Sequence, residues 1–218
     1  MTDSRAQAPS PEAAILAYAE SAIVEDDALL AARERADELG APAIAPSVGA
    51  LLSLLARAAD ARAVVEVGTG AGVSGLWLLN GMSENGVLTT IDPEIEYHRA
   101  ARESFRGADI APGRTRLING TPRDVLPRLA DESYDLVFID GPVINHPQFV
   151  TEAARILRPG GIVVVHNVTA DGTVADPDAN DAVTVAAREA ALIIADDDRF
   201  LPVVVPLGTG VLAAAKAR

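Results

Sequence analysis

The chain has 218 residues, of which 49% are apolar, and carries a net charge of −13. That is enough for one domain with a real core and too apolar for intrinsic disorder, while the acidity and the scattered arginines argue against a nucleic-acid partner. With no cysteine, disulfides and thiolate metal sites are excluded and a cytoplasmic location is expected. No apolar run approaches a membrane span and no secretory signal opens the chain.

The first ten residues, MTDSRAQAPS, read as a disordered tail, and residues 11–218 as one domain. Helix is expected over 11–39, in one or two segments, between Pro11 and Gly40. APAIAP (41–46) is a loop broken by Pro42 and Pro46, and a further helix over 47–59 completes an N-terminal helical part. The core, 63–218, then alternates strand and helix. Strands are expected at 63–67, 87–91, 114–118, 134–139 and 161–166, and helices at 72–80, 94–106, 121–129, 146–157 and 179–195. Short apolar strands alternating with helices predict a parallel sheet covered on both faces. Residues 202–206 and 211–215 are joined by Leu207-Gly208-Thr209-Gly210, too short for a crossover, so they form an antiparallel hairpin. The fold class is α/β: a Rossmann-like, mostly parallel seven-stranded sheet with a C-terminal antiparallel hairpin and helices on both faces.

Such sheets bind ligands at the carboxyl ends of their strands, and four ends carry useful residues. The first strand holds Glu66 and runs into Gly68, Thr69, Gly70 and Gly72, a turn in which the backbone can approach a ligand closely. Asp92 ends the second strand, where a carboxylate can accept two ribose hydroxyls at once. Asn119-Gly120-Thr121-Pro122 is a polar turn, and Asp140 ends the fourth strand. Gly70–Gly75 also matches G-x-G-x-x-G. That match alone is weak, it comes two residues late, and an acid beside the turn suits a positively charged ligand better than a pyrophosphate. Asp92 as a helix cap and Asp140 as a solvated loop acid remain open.

Taken in order, EVGTGAGVSG, TTIDPE, INGTPRDVLP, YDLVFIDGP and LRPGGIVVVHN resemble the class I S-adenosylmethionine-dependent O-methyltransferases. Within them they resemble the group of catechol and caffeoyl-CoA O-methyltransferases and their bacterial relatives, with an actinobacterial style of composition. The resemblance runs from about Pro42 to the C-terminus. It implies that Glu66, Gly68, Thr69, Gly70 and Ser74 surround the methionine part of S-adenosylmethionine, and that Asp92 holds the ribose. It further implies that Gly120, Thr121 and Pro122 border the adenine, that Asp140 lies near the sulfonium and at a metal position, and that Ile44 covers the cofactor. Relatives are often dimers, so a homodimer is expected.

Two departures affect the chemistry. Gly141-Pro142-Val143-Ile144-Asn145 holds no lysine where the family often places a base, and the chain's one lysine is Lys216. His166-Asn167 stands where relatives commonly read Asp-Asn, which binds a divalent metal together with the earlier aspartate. Asp140, His166 and Asn167 remain an O/N/O ligand set better suited to manganese, iron or zinc than to magnesium or calcium. Alternatively His166 is a metal-free general base, since imidazole titrates near ~6.5, or a strand-end histidine without function. His146 reads as a helix-start residue, His98 as solvated, and the acidic loop 168–181 as a lid or a plain solvated loop. The expected activity is methyl transfer to a hydroxyl of a small, aromatic acceptor. The alternatives are a cofactor-binding protein with little catalysis and a nicotinamide-dependent oxidoreductase.

Overall fold

The computed structural model describes residues 10–218, with strands and helices alternating as the apolar pattern predicts. The expected N-terminal tail falls on residues outside the described ones, save Ser10, whose side chain caps the first helix by accepting from Ala13 N. Helices α1 (Pro11–Ser21), α2 (Asp27–Glu38) and α3 (Pro46–Ala58) form the N-terminal part. The first two are separate because Asp26 starts a new helix, its carboxylate accepting from Leu29 N at 2.9 Å.

The strands are β1 (Ala63–Val67), β2 (Val87–Asp92), β3 (Thr115–Asn119), β4 (Tyr134–Ile139), β5 (Leu157–His166), β6 (Phe200–Val205) and β7 (Val211–Lys216). They form one sheet of order β3-β2-β1-β4-β5-β7-β6. β7 runs antiparallel to both β5 and β6, and every other pairing is parallel. The C-terminal hairpin is therefore present as expected, with its second strand inserted beside β5.

Alternate strand residues face opposite ways. Val64, Leu88, Leu136, Phe138, Val164 and Val211 pack against α3, α4 (Val73–Gly81) and α5 (Ile95–Gly107). Val65, Val67, Ile91, Val137, Ile139, Val163 and Val165 pack against α7 (His146–Ile156) and α8 (Ala182–Ala195). α3 and α4 meet closely at Gly81, where any Cβ would strike the Ser53 carbonyl.

Most boundaries shift by one or two residues from the sequence expectation, and three shift by more. Residues 121–129 are not one helix but a single turn, α6 (Pro122–Val125), followed by a 3₁₀ turn over Leu126–Arg128. Pro127 has no N–H to continue the ladder. α8 starts at Ala182 rather than 179 because Asp181 caps it, one carboxylate oxygen accepting from Val183 N and Thr184 N at 3.0 Å each. β5 starts at Leu157, pairing with Tyr134 ahead of a register shift in β4. Lys216 is buried on β7 and donates to the carbonyls of Ala154 and Leu157 at 2.9 and 2.7 Å, closing the C-terminal end of α7.

Candidate active site

The carboxyl ends of β1, β2, β4 and β5 converge beneath the 41–45 loop. Two cavities lie there, sharing Pro42, Ala43, Ile44 and Asp140 as a common wall. The first, about 120 Å³, is lined by Ile44, Gly68, Thr69, Gly70, Ser74, Asp92 and Asp140, all expected from the sequence, and also by Tyr97. The second, about 290 Å³, is lined by Asp140, His166 and Asn167 together with Arg33, Gly208 and Thr209. Gly120, Thr121 and Pro122 line neither cavity. They stand beside the first at the end of β3, where Gly120 N donates to the Asp92 carbonyl at 3.1 Å.

The first cavity is built by the turn after β1. Gly68 sits at φ +97°, and a Cβ there would lie 2.7 Å from the Asp140 carbonyl oxygen. Only glycine lets the ends of β1 and β4 come this close. Gly68→Ala is expected to cost about 1–3 kcal/mol of stability and to weaken ligand binding in the cavity, readable as a lower Tm and a weaker calorimetric Kd. The Thr69 N–H released by this turn donates to one Asp92 carboxylate oxygen at 2.9 Å, and Glu94 N donates to the other at 2.9 Å. Asp92 thus braces the turn ahead of α5 while facing the cavity, but it does not cap that helix, whose N-cap is Glu94 with no side-chain cap.

Glu66 lies fully buried under this turn and lines neither cavity, and neither carboxylate oxygen has a hydrogen-bond partner among the described residues. Burial pushes its carboxyl up to about 8; the hydroxyls of Ser74 and Thr90 oppose the rise, while the nearby Asp140 and Asp92 charges add to it. An unpaired buried carboxyl is costly. It is accounted for if a cationic ligand group is its partner.

In the second cavity four side chains form a closed ring. His166 Nδ1 donates to Asp140 Oδ1 at 2.7 Å, and Asn167 Nδ2 approaches the same oxygen at 3.4 Å. The Thr209 hydroxyl donates to Asn167 Oδ1 and lies 3.2 Å from His166 Nε2. With its proton given to Asn167, Thr209 offers Nε2 an oxygen and no hydrogen. Nδ1 therefore carries a proton toward Asp140, while Nε2 faces the Thr209 oxygen at the edge of the cavity. Asn167 reaches into the ring from φ +59°, a conformation asparagine tolerates better than most residues.

This ring does not fit the divalent metal the sequence resemblance implies. Nδ1 donates to Asp140 and has no lone pair for a cation, so His166 could ligate only through Nε2, which the Thr209 hydroxyl already occupies at 3.2 Å. The Asn167 oxygen is taken by Thr209, and one carboxylate is left where oxygen-preferring cations want several. No cluster of three or more His, Asp or Glu side chains able to hold a metal occurs among the described residues.

The other histidines are structural. His98, expected in solvent, is buried at 1% exposure. It falls on the inner face of α5 with Ala101 and Phe105, and its Nε2 contacts the Asp92 carbonyl at 3.0 Å. His146 starts α7 as expected, with Nε2 on the Gly141 carbonyl at 2.9 Å and burial lowering its pKa. The acidic 168–181 loop lines neither cavity. Arg188 of α8 fastens it, donating to the carbonyls of Thr173, Val174, Asp176 and Ala179.

Sequence reasoning missed Tyr97, Arg33 and Thr209. Tyr97 carried a signal, an aromatic in the first turn of the helix that follows Asp92. Thr209 sat in view as a hairpin turn residue. Its approach to His166 follows from β7 pairing with β5, which brings Val211 opposite His166.

The chain matches the family model described as O-methyltransferase over residues 18–217. It is 60% identical to a Mycobacterium sp. (strain KMS) protein that carries an O-methyltransferase designation, over 98% of this chain and 97% of that one. A Corynebacterium glutamicum crystal structure superposes with a TM-score of 0.88 at 37% identity, covering 94% of this chain and 96% of the other. The O-methyltransferase TomG from Streptomyces achromogenes, crystallised with S-adenosylmethionine, superposes at 0.85 with 31% identity, again over 94% and 96%. The family leaves no place for the nicotinamide reading. The chain belongs to the O-methyltransferase family, as its ordered motifs indicated.

Proposed function

We propose that this enzyme methylates a hydroxyl of a small, aromatic acceptor held in the 290 Å³ cavity, with S-adenosylmethionine in the cavity beside it. The cofactor supplies an electrophilic methyl group on a positively charged sulfur. Glu66 stands ready as the partner of a cationic group, Asp92 of the ribose, and Gly68, Thr69, Gly70, Ser74 and Ile44 as the enclosing walls. Gly120, Thr121 and Pro122 are positioned to border an adenine extending past Asp92. The observation that carries the reading is the ring around His166. His166 lines the acceptor cavity with Nδ1 held by Asp140, one of the residues both cavities share.

A phenol ordinarily titrates near ~10, so its proton must leave as the oxygen reacts. His166 Nε2 takes that proton, Asp140 stabilises the imidazolium through Nδ1, and Thr209 Oγ1 is the ready acceptor for the new Nε2–H. Pro42, Ala43, Ile44 and Ala45 supply an apolar wall for a ring and keep water from the reacting oxygen. Holding both reactants in adjoining cavities adds the advantage of orientation.

We further infer one domain over residues 11–218, a homodimer in the cytoplasm, and no nucleic-acid partner. These rest on the family resemblance, the absence of cysteine and the charge of −13. No helix of the described residues is long and apolar enough to cross a membrane.

The test is transfer of labelled methyl from S-adenosylmethionine to a panel of phenols, catechols and aliphatic alcohols. Label is expected on the phenolic oxygens. Tight cofactor binding with no transfer to any acceptor would instead favour a cofactor-binding protein with little catalysis.

A further inference from the structure

The acceptor cavity contains one permanent cation. Arg33, from α2, lines it beside His166, Asn167 and Thr209. One edge of its guanidinium is occupied: Nε and Nη2 donate to the two oxygens of Glu25 at 2.5 and 2.7 Å. Glu25 is itself held, since its side chain is only 7% exposed and the Trp77 indole N–H also donates to it at 3.2 Å. Nη1 has no hydrogen-bond partner among the described residues.

A guanidinium is a planar fork with more than one usable edge, and a second carboxylate fits the outer edge in the bidentate manner of the first. Glu25 fixes the plane of the fork, so little side-chain entropy is lost when the outer edge is used. The rest of the cavity contributes apolar wall and neutral polar groups, apart from Asp140, whose Oδ1 is occupied by His166 and Asn167. The acidic loop that would repel an anion is fastened to α8 by Arg188 and lines no part of the cavity.

Building on the acceptor-cavity reading above, we propose that Arg33 is a specificity residue that binds a carboxylate on the acceptor. The substrate class is then a small hydroxylated aromatic acid. Its ring lies against the Pro42–Ala45 wall, its carboxylate on the outer edge of Arg33, and its hydroxyl at His166. A cavity of about 290 Å³ holds an acceptor of this single-ring size.

The test uses 3,4-dihydroxybenzoate and catechol, which differ only by the carboxylate. Binding is measured by calorimetry on protein loaded with S-adenosylhomocysteine, and turnover with S-adenosylmethionine. Wild type is expected to bind and methylate the acid better. Arg33→Met is expected to raise Kd and KM for the acid about 10–100-fold, the size of a lost charge-assisted pair, with kcat and catechol binding little changed. Arg33→Lys is expected to recover part of the loss, because it restores charge without the fork. Since Arg33→Met leaves Glu25 buried and unpaired, Glu25→Gln/Arg33→Met serves as the folded control and is expected to show the same selectivity change. Equal handling of both compounds by wild type, or an equal change for both in the variants, would overturn the proposal and leave Arg33 as a structural partner of Glu25. Arg33-dependent binding of the acid with no methyl transfer would uphold the anion site and overturn only the reaction assigned to the cavity.

Discussion

Replacing His166 by glutamine is expected to lower kcat by about 10²–10⁴-fold, the usual contribution of a positioned general base, with S-adenosylmethionine affinity unchanged. The split between kcat and cofactor affinity follows from geometry, because His166 lines the acceptor cavity and not the one formed by Gly68, Ser74 and Asp92. Asp140→Asn is expected to lower kcat as well, for a different reason. An amide nitrogen turned toward Nδ1 would donate to it, move the imidazole proton to Nε2 and remove the lone pair that accepts from the acceptor. Thr209→Val keeps the lone pair and removes the acceptor for the protonated form, so its loss should be the smallest of the three. Single-turnover rates on cofactor-saturated protein measure all three. An unchanged single-turnover rate in His166→Gln would remove the histidine from the chemistry.

Glu66→Gln is expected to stabilise the cofactor-free protein and to weaken S-adenosylmethionine binding by about 10–100-fold, the value of a charge-assisted partner. The carboxyl is held at about 8 in the folded chain by burial, against the ordinary glutamate value near ~4.3. Between those two values the folded state keeps a proton the unfolded state has lost. The group's contribution to stability is therefore present in acid and falls as pH rises toward about 8. The variant lacks that loss, so its stability advantage should be small at low pH and widen as pH climbs through the window. Cofactor binding carries the opposite sign. A cation placed against Glu66 favours the ionised form, so wild-type binding should release protons below pH of about 8 and tighten as pH rises. Denaturant melts at several pH values, with calorimetry in two buffers of different ionisation enthalpy, read both effects. A Glu66→Gln protein that binds the cofactor as tightly as wild type would show that the buried carboxyl faces no ligand charge.

The strand-helix alternation was legible because apolar strands buried on both faces carry little ambiguity, and the hairpin because four loop residues cannot make a crossover. The helix expected over 121–129 failed on a local rule, since Pro127 stops the ladder one turn in. At the site, residues at strand ends were legible because the sheet orders them: Gly68, Asp92, Asp140, His166 and Asn167 all reach the two cavities. Arg33 and Thr209 were not, for they arrive from elements whose docking depends on tertiary contacts far apart in the chain. His98 was misread because its charged neighbours on α5 masked its place on the inner face with Ala101 and Phe105. The swap to His166-Asn167 was visible in the sequence. Its consequence was not, because the role of His166 depends on how both ring nitrogens are partnered, and only the fold sets Asp140 against Nδ1 at 2.7 Å and Thr209 against Nε2 at 3.2 Å.

The most direct test is the initial rate of methyl transfer by chelator-stripped protein to a catechol acceptor, with magnesium or manganese then added back. His166 acting as a metal-free base predicts full activity without metal and no gain on adding it. Activity that is absent after stripping and restored by either cation would contradict the histidine base and make Asp140, His166 and Asn167 ligands instead.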